Sequence, residues 1–189
     1  MIRKMIVSLR DYYLVNVKWK KYTFGNNFHA GKNVIMWAKS HIVIGDNCYI
    51  GRNSQIECNA TIGNDVLIAN NVAFVGRYDH HYKQIGVSIR KSSQIRQSDY
   101  DWLELDKEVH VGDDVWVGYG AIVLSGLKIA NGCIISAGSV LTKSTEPYTI
   151  YAGVPAKPVA QRFDSIDDLA EHIKQLNINT EEKNENNGL

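Results

Sequence analysis

Two adjacent histidines, His80 and His81, are the residues of this sequence best suited to proton-transfer chemistry. An imidazole titrates near neutral pH, so it can take a proton from a hydroxyl group and return it later in the reaction. Asp79 precedes the pair, and a carboxylate can orient an imidazole. A backbone carbonyl or another carboxylate is at least as good a candidate, because side chains adjacent in sequence usually point apart. The pattern predicts a general base.

The histidine pair lies in an irregular segment, 76–104, that interrupts an otherwise periodic chain. A long insertion costs ordering entropy and adds nothing to a repeat, which is typical of functional loops. A His-His dipeptide alone is weak evidence of function, so its position in this break is what favours a catalytic role. Three aromatic residues of the loop, Tyr78, Tyr82 and Trp102, are predicted either to stack on a bound substrate or to pack the loop against itself.

A strict six-residue period positions this loop. Apolar residues occupy the first position of each hexad, and small or modest residues occupy the fifth. Helices repeat at 3.6 residues and strands at 2, so a period of six indicates a β-helix in which each hexad supplies a short strand and a corner. The first positions are Ile44, Ile50, Ile56, Ile62, Ile68 and Phe74 before the loop, and Val111, Val117, Val123, Ile129, Ile135 and Leu141 behind it.

The fourth position of most hexads carries Asn, Asp or Gly, the residues that adopt left-handed backbone angles at least cost. These residues are predicted to turn the corners of a narrow three-sided prism. The first and fifth positions then point inward, and three faces give eighteen residues per coil.

Composition restricts the class of protein. The chain of 189 residues has a net charge of +1 and is 44% hydrophobic, which suits one soluble domain without nucleic-acid or membrane partners. Charges at Arg3, Lys4 and Arg10 leave no apolar run long enough for a signal peptide or a membrane span. Cys48 and Cys133 fall in inward fifth positions as buried thiols. We therefore expect a reducing, cytoplasmic setting with no disulfide and no cysteine metal site.

The ends of the chain are predicted to differ from the repeat. The β-helix domain is assigned to 1–163, with 1–25 as a cap over its first coil and 164–189 as a helix followed by a disordered polar tail from Asn177. The expected apolar stripes are Met5, Ile6, Leu9, Tyr12 and Tyr13 in the cap, and Ile166, Leu169, Ile173 and Leu176 in the C-terminal helix. Between the cap and the strict repeat, the six-residue pattern is imperfect. Ala30, Met36 and Ile42 are assigned there to fifth positions.

These hexads resemble the left-handed parallel β-helix of the hexapeptide-repeat acyltransferases, in particular the branch that acetylates xenobiotics and sugars. The all-β fold class and the left hand of the coil are implied by this resemblance. DHHY is similar to that family's D-H-x-[HY] segment, which implies His80 as the base, His81 as the runner-up and Asp79 as possible support. No Ser or Cys has a distinctive motif context, so we expect direct attack without a covalent acyl-enzyme. The resemblance also implies a homotrimer with active sites between subunits.

The coils behind the loop resemble the part of that family which holds acetyl-CoA, the implied cosubstrate. Tyr119 and Ala137 are one eighteen-residue coil apart, so they stack on the same face. Thr142 and Lys143 match the S-V-x-T-K segment, and Lys157 matches the G-x-P-A-[KR] signature. The resemblance implies that these five residues bind the coenzyme, with the two lysines at its phosphates.

The resemblance implies an acetyl-CoA-dependent O-acetyltransferase, without a metal, that modifies a hydroxyl or less readily an amine of a sugar or small hydroxylated molecule. Modification of surface polysaccharide, capsule or lipopolysaccharide, is a plausible setting.

Zinc enzymes of the γ-carbonic-anhydrase type share the fold and use three histidines. His80, His81 and His110 are the candidates, although adjacent histidines rarely converge on one ion. A non-catalytic β-helix scaffold is the third alternative, and it predicts no coenzyme affinity.

Overall fold

The chain forms a left-handed parallel β-helix in the computed structural model. The structure describes residues 9–100, 102–103, 105 and 107–187, of which 178–187 are described by their backbone only. Three parallel sheets form the faces of the prism, and the chain passes from one sheet to the next at each corner. Met5 and Ile6 of the predicted cap lie outside the described residues.

The strands of each sheet stack in chain order, one per coil. The first sheet contains β1 (Thr23–Phe24), β4 (Ile42–Ile44), β7 (Asn59–Ile62), β10 (Glu108–Val111) and β13 (Lys128–Ile129). The second contains β2 (His29–Ala30), β5 (Tyr49–Ile50), β8 (Leu67–Ile68), β11 (Trp116–Val117), β14 (Ile134–Ile135) and β16 (Thr149–Gly153), and β17 (Ala156–Gln161) pairs antiparallel with β16. The third contains β3 (Ile35–Met36), β6 (Gln55–Glu57), β9 (Ala73–Val75), β12 (Ile122–Leu124) and β15 (Val140–Leu141).

The hexad pattern fills the prism as predicted. Every first-position residue from Ile44 to Leu141 is buried, and so is every fifth-position residue from Cys48 to Thr145. Burying an aliphatic side chain of this size contributes roughly 1.5–3 kcal/mol, so the repeated column of Ile and Val is the main source of stability. The core is therefore one continuous cluster along the axis.

The register of the first coils differs from the prediction. Ala30 and Met36 pair with Ile50 and Ile56, so they occupy first positions rather than fifth. Partners in the first coil are twenty residues apart, whereas Ile42 pairs with Ala60, eighteen residues away. The two extra residues fall between β3 and β4, where a longer corner removes the strict period that sequence reasoning relied on.

Both terminal helices differ in part from the sequence-based expectation. The N-terminal helix, 9–13 continued by Leu14–Lys18 as a π-helix, leaves Leu9, Tyr12 and Tyr13 more than half exposed. Leu14 and Val15 pack on the core instead. The reason is the buried Asp11 carboxylate, which accepts a hydrogen bond from His29 Nδ1 at 2.6 Å and fixes the opposite face of the helix.

The C-terminal helix spans Ile166–Asn187, so the polar tail from Asn177 is helical rather than disordered. Adding residues to an existing helix avoids the cost of nucleating a new one, which explains why a polar sequence continues it. The predicted stripe is also incomplete. Ile166 and Ile173 are exposed, whereas Leu169 and Leu176 are half-buried.

Candidate active site

The histidine loop leaves the prism at the end of β9 and returns at the start of β10. Both strands border the same corner, between the third and first sheets, which we call the third corner. The excursion therefore covers 76–107, three residues beyond the predicted limit at 104. Its position displaces none of the stacked strands, because β9 still pairs with β12 and β7 with β10.

The loop is a folded unit that turns back over the earlier coils. Its two arms meet at an antiparallel bridge between His80 and Gln94, and the amide of Ile95 donates to the carbonyl of Asp79 at 2.9 Å. Lys39 Nζ, from the first coil, donates to the carbonyl of Gln97 at 2.7 Å. Contacts distant in sequence thus decide which part of the prism the loop covers.

An open cleft of about 110 Å³ lies between the loop and the prism. The coils contribute Trp37 and Glu57 to its lining, and the loop contributes His80. Its remaining lining residues come from the loop, namely Asp79, Gln94, Ile95 and Arg96. The cleft therefore places the predicted base, His80, among side chains other than Tyr78, Tyr82 and Trp102, the residues that the sequence predicts to bind substrate.

Both histidines have a buried nitrogen that lacks a partner. The Nδ1 atoms of His80 and His81 are buried and form no hydrogen bond to any group that the structure describes. A Cβ placed on Gly76 would overlap the Asp79 carboxylate, so that carboxylate lies against Gly76. Neither Nδ1 is bonded to Asp79. The orienting acceptor is thus absent from the contacts of the described residues.

The three aromatic residues predicted to bind substrate form a cluster around His81. The Trp102 ring stacks on the His81 imidazole, with centroids 4.3 Å apart and planes 10° apart. Tyr78 and Tyr82 meet the same indole edge-on at 5.4 and 4.8 Å. Of the two interpretations that the sequence allows for these rings, the contacts favour packing within the loop.

The five residues predicted to bind coenzyme fall in three places. Thr142 and Lys143 follow β15 at the third corner, where Arg77 Nη2, from the base of the loop, donates to the carbonyl of Thr142 at 2.8 Å. Tyr119 and Ala137 lie one coil apart at the corner between the second and third sheets. Lys157 lies on β17, opposite Ala152 of β16. Among these five residues, Thr142 is the one for which the structure describes a hydrogen bond to the histidine loop.

Possible metal ligands do not converge in the part of the chain that the structure describes. Within that part, no group of three or more His, Cys, Asp or Glu side chains is arranged to hold a metal ion. His110 Nε2 instead lies 2.5 Å from Glu108 Oε1, and the other carboxylate oxygen lies 2.5 Å from His41 Nε2. None of the described helices is both long and apolar enough to cross a membrane.

Sequence reasoning missed Trp37, Glu57 and Arg96, three of the residues that line the cleft. A signal for two of them exists in the repeat. Trp37 follows Met36 and Glu57 follows Ile56, and Met36 pairs with Ile56 across β3 and β6. An alignment of the coils that allowed for the twenty-residue first coil would have placed both side chains in one column. Arg96 had no such signal, because the loop is aperiodic.

Comparison with known proteins identifies relatives of the repeat. The model of the family described as bacterial transferase hexapeptide (six repeats) matches residues 41–75 and 108–143, on either side of the loop. A putative lipopolysaccharide biosynthesis O-acetyl transferase of Escherichia coli K12 is 34% identical over 138 residues, 71% of this chain and 68% of that protein. The galactoside O-acetyltransferase of the same strain is 28% identical over 145 residues, 76% of this chain and 58% of that protein.

A putative acetyltransferase of Schizosaccharomyces pombe is 31% identical over 136 residues, 72% of this chain. The chain spans only 51% of that protein, so it covers about half of some curated relatives. Among solved structures, a hexapeptide-repeat acetyltransferase from Vibrio cholerae superposes with a TM-score of 0.58 at 20% identity, covering 82% of this chain and 81% of that one. An N-acyltransferase from Bacillus cereus, solved with a dTDP-amino sugar and coenzyme A, gives 0.57 at 16% identity, covering 82% and 86%. At these identities, the two superpositions show that this chain shares the fold of those proteins.

Proposed function

The chain belongs to the bacterial hexapeptide transferase family, and we propose that it is an acetyl-CoA-dependent acetyltransferase. Its acceptor is a hydroxyl, or less readily an amine, of a sugar or small hydroxylated molecule. The observation that carries this proposal is that His80 lines an open, polar cleft between the inserted loop and the β-helix. Two relatives support the choice of acceptor class, one named as a galactoside O-acetyltransferase and one as a lipopolysaccharide biosynthesis O-acetyl transferase.

His80 is the proposed general base. Because its Nδ1 is buried, Nε2 is the nitrogen left to accept the proton of the acceptor hydroxyl. As that proton moves to Nε2, the hydroxyl oxygen bonds to the acetyl carbon, the carbon–sulfur bond breaks, and the imidazolium returns the proton to the departing sulfur. The products are an acetyl ester and free coenzyme. His81 is the weaker candidate because its imidazole is stacked on Trp102.

For Nε2 to act as a base, Nδ1 must carry the other proton and donate it. Leaving a buried donor unsatisfied costs about 1–3 kcal/mol, so an acceptor from outside the observed contacts is expected. We propose a homotrimer in which a neighbouring subunit or a bound water supplies this acceptor. The trimer itself is taken from the family resemblance.

Five residues are proposed to bind the coenzyme: Thr142, Lys143, Lys157, Tyr119 and Ala137. The contact between Arg77 and the Thr142 carbonyl supports a coenzyme position next to the loop. Lys143 and Lys157 are exposed and available to phosphate groups.

The proposed biological setting is the modification of surface polysaccharide by a cytoplasmic enzyme. The side chains of Cys48, Cys58 and Cys133 are buried in the core, and the proposed cytoplasmic setting rests on the cysteine content of the sequence.

Calorimetric titration of metal-stripped protein with acetyl-CoA tests the proposal, with free CoA and zinc chloride as parallel ligands. Saturable binding of acetyl-CoA in the absence of metal is the expected result. Zinc uptake without coenzyme binding would replace the proposal with a zinc enzyme. Binding of neither ligand would favour a scaffold role.

A further inference from the structure

The floor of the cleft is a column of residues on the third sheet. Trp37 follows β3, and Glu57 ends β6, where it pairs with Val75 of β9. The loop starts at the next residue, Gly76. Glu57 is therefore held one coil from the point where the loop begins, by the same parallel pairing that builds the prism. A carboxylate on a stacked strand has a fixed position, unlike one on a free loop.

Arg96 lies above this column and is positioned by two contacts. Its Nη2 donates to Glu57 Oε2 at 2.9 Å, and its guanidinium lies 4.4 Å from the centroid of the Trp37 ring. Stacking on an indole restrains the plane of the guanidinium, which sets the directions of its N–H donors. Arg96 thus contacts both Trp37 and Glu57, and all three residues line the same cleft as His80.

The Glu57–Arg96 pair retains unused hydrogen-bonding capacity. Within the described residues, the 2.9 Å contact is the one hydrogen bond of either side chain, so Glu57 Oε1 and four guanidinium N–H groups are available. Partly exposed ion pairs of this kind contribute about 0–1 kcal/mol to stability, so stability alone is a weak reason for the arrangement. A carboxylate beside a guanidinium offers an acceptor and a donor at neighbouring points.

The charges around the cleft restrict what can bind there. Glu57 and Arg96 line the cleft with opposite charges and are paired with each other, so the pair presents no net charge to a bound group. An anionic ligand would meet Arg96 but would also be repelled by the Glu57 carboxylate beside it. A hydroxyl can donate to the carboxylate and accept from the guanidinium at once. Two adjacent hydroxyls can therefore satisfy both the Glu57 carboxylate and the Arg96 guanidinium, whereas a singly charged group is attracted by one and repelled by the other.

We propose that the Glu57–Arg96 pair recognises the acceptor by binding adjacent hydroxyl groups of a neutral saccharide ring, and that it disfavours acidic sugars. This inference rests on the proposed function, since it assumes that the acceptor occupies the cleft beside His80. It replaces Tyr78, Tyr82 and Trp102 as the residues expected to select the acceptor, because those rings pack on one another and on His81.

Acceptor kinetics test the pair. The probes are the neutral methyl glycosides of galactose, glucose, mannose and N-acetylglucosamine, together with methyl glucuronoside, and the readout is release of CoA from acetyl-CoA. The wild-type protein should acetylate at least one neutral glycoside and prefer glucoside to glucuronoside. Glu57→Gln should raise the KM of the best neutral glycoside about 10–100-fold with little change in kcat, the loss expected for one hydrogen bond to a charged group. The same variant should also show a smaller ratio of acetylation of methyl glucoside to acetylation of methyl glucuronoside.

Arg96→Lys keeps the charge but loses the planar donors and the stacking, so it should also raise KM. The matched control is Glu171→Gln, which neutralises an exposed carboxylate paired with Lys174 on the C-terminal helix. Unchanged KM values in both cleft variants, or a wild-type preference for glucuronoside, would overturn the inference.

A binding measurement separates this inference from the proposed function. Saturation-transfer NMR with the same glycosides, in the absence of acetyl-CoA, reports occupancy of the cleft directly. Binding that Glu57→Gln weakens supports the pair even if no acetyl transfer is detected. Acetyl-CoA binding with no glycoside bound would reject the pair while leaving the acetyltransferase proposal intact.

Discussion

His80 and His81 are neighbours in sequence, yet their side chains have different surroundings. His80 borders the cleft with Glu57 and Arg96, whereas His81 is stacked on Trp102. The chain turns directly after His80, where the Tyr82 amide donates to the His80 carbonyl at 2.9 Å, so the two side chains enter different surroundings. The catalytic proposal therefore distinguishes two residues that the sequence motif leaves nearly equivalent.

Replacing each histidine separately tests this assignment. We expect His80→Ala to lower kcat by roughly 10²–10⁴-fold, the usual contribution of a general base, without weakening acetyl-CoA binding. His81→Ala serves as the matched control and should cause a smaller loss, through looser packing of the loop. Steady-state acetyl transfer and calorimetry of both variants provide the measurements. The reverse ranking would transfer the role of base to His81.

Cys48 illustrates how burial in the prism controls a side chain. Burial raises the pKa of the Cys48 thiol from 9.0 to about 11, and Asp65, Asp113 and Asp46 add to the rise. Its Sγ donates to the carbonyl of Gly63 at 3.1 Å. The thiol therefore remains protonated, as a space-filling group, at physiological pH.

This shift predicts how stability depends on pH. Between pH 9 and 11 the unfolded thiol loses its proton while the folded thiol keeps it, so a rising pH favours unfolding. The unfolding free energy of the wild type, relative to Cys48→Ala, should fall by up to about 1.4 kcal/mol per pH unit above pH 9. Urea unfolding of both proteins from pH 7 to 10 measures the difference. A difference that does not vary with pH would refute the prediction.

At the scale of the coil, left-handed corner residues set the geometry. Positive φ angles of 55–58° occur at Asn47, Asn53, Asp65, Asn71 and Asp114, and glycines continue the series behind them. Asn59 and Ser144 hold the same hexad position but are absent from this group. Both border the third corner, and Asn59 instead bonds to the Ser40 amide and the Leu105 carbonyl. Both exceptions thus lie at the corner that releases the loop, although Gly126 at the same corner keeps a left-handed φ of 75°.

Asn71 offers a test of the corner rule, since its φ is +58° and its side chain is exposed. We expect Asn71→Ala to destabilise the protein by about 1 kcal/mol, because a Cβ disfavours left-handed angles for residues other than Gly, Asn and Asp. Asn71→Gly is the control and should have little effect. Chemical denaturation of the three proteins gives the comparison. Equal stability of the Ala and Gly variants would contradict the rule at this corner.

At the scale of the whole molecule, Asp114 joins the C-terminal helix to the prism. Its carboxylate accepts hydrogen bonds from Arg162 Nη1 at 2.5 Å and His172 Nε2 at 3.0 Å. Phe163 packs between Tyr148 and His172. Burial, followed by the Asp114 charge, raises the pKa of the Tyr148 hydroxyl. A single corner carboxylate thus holds both the segment after β17 and the helix.

Asp114→Asn should loosen this helix without disturbing the coils, because Asn keeps the left-handed corner but removes the charge. Losing about 1 kcal/mol of docking energy would speed amide hydrogen exchange in the helix roughly fivefold. Asp113→Asn, at the adjacent position, is the control and should leave helix exchange unchanged. Hydrogen exchange read by mass spectrometry makes the comparison. Equal exchange in both variants would show that Asp114 does not hold the helix.

The sequence alone determined the prism and the place of its interruption. A six-residue apolar period permits few structures, because each inward residue must meet its counterpart one coil away. The period by itself therefore assigns Ile44, Ile62 and Val111 to the core, where all three are buried. The break in the period likewise located His80 in a loop.

Only the tertiary structure decided what His80 faces. Trp37 and Glu57 belong to earlier coils, and they reach the cleft because Lys39 and Arg96 fold the loop back over them. The longer first coil also shifted the register of Ala30 and Met36. Periodicity reports which side chains point inward, whereas the direction of an aperiodic loop depends on contacts between residues far apart in the chain. The site arises from those contacts.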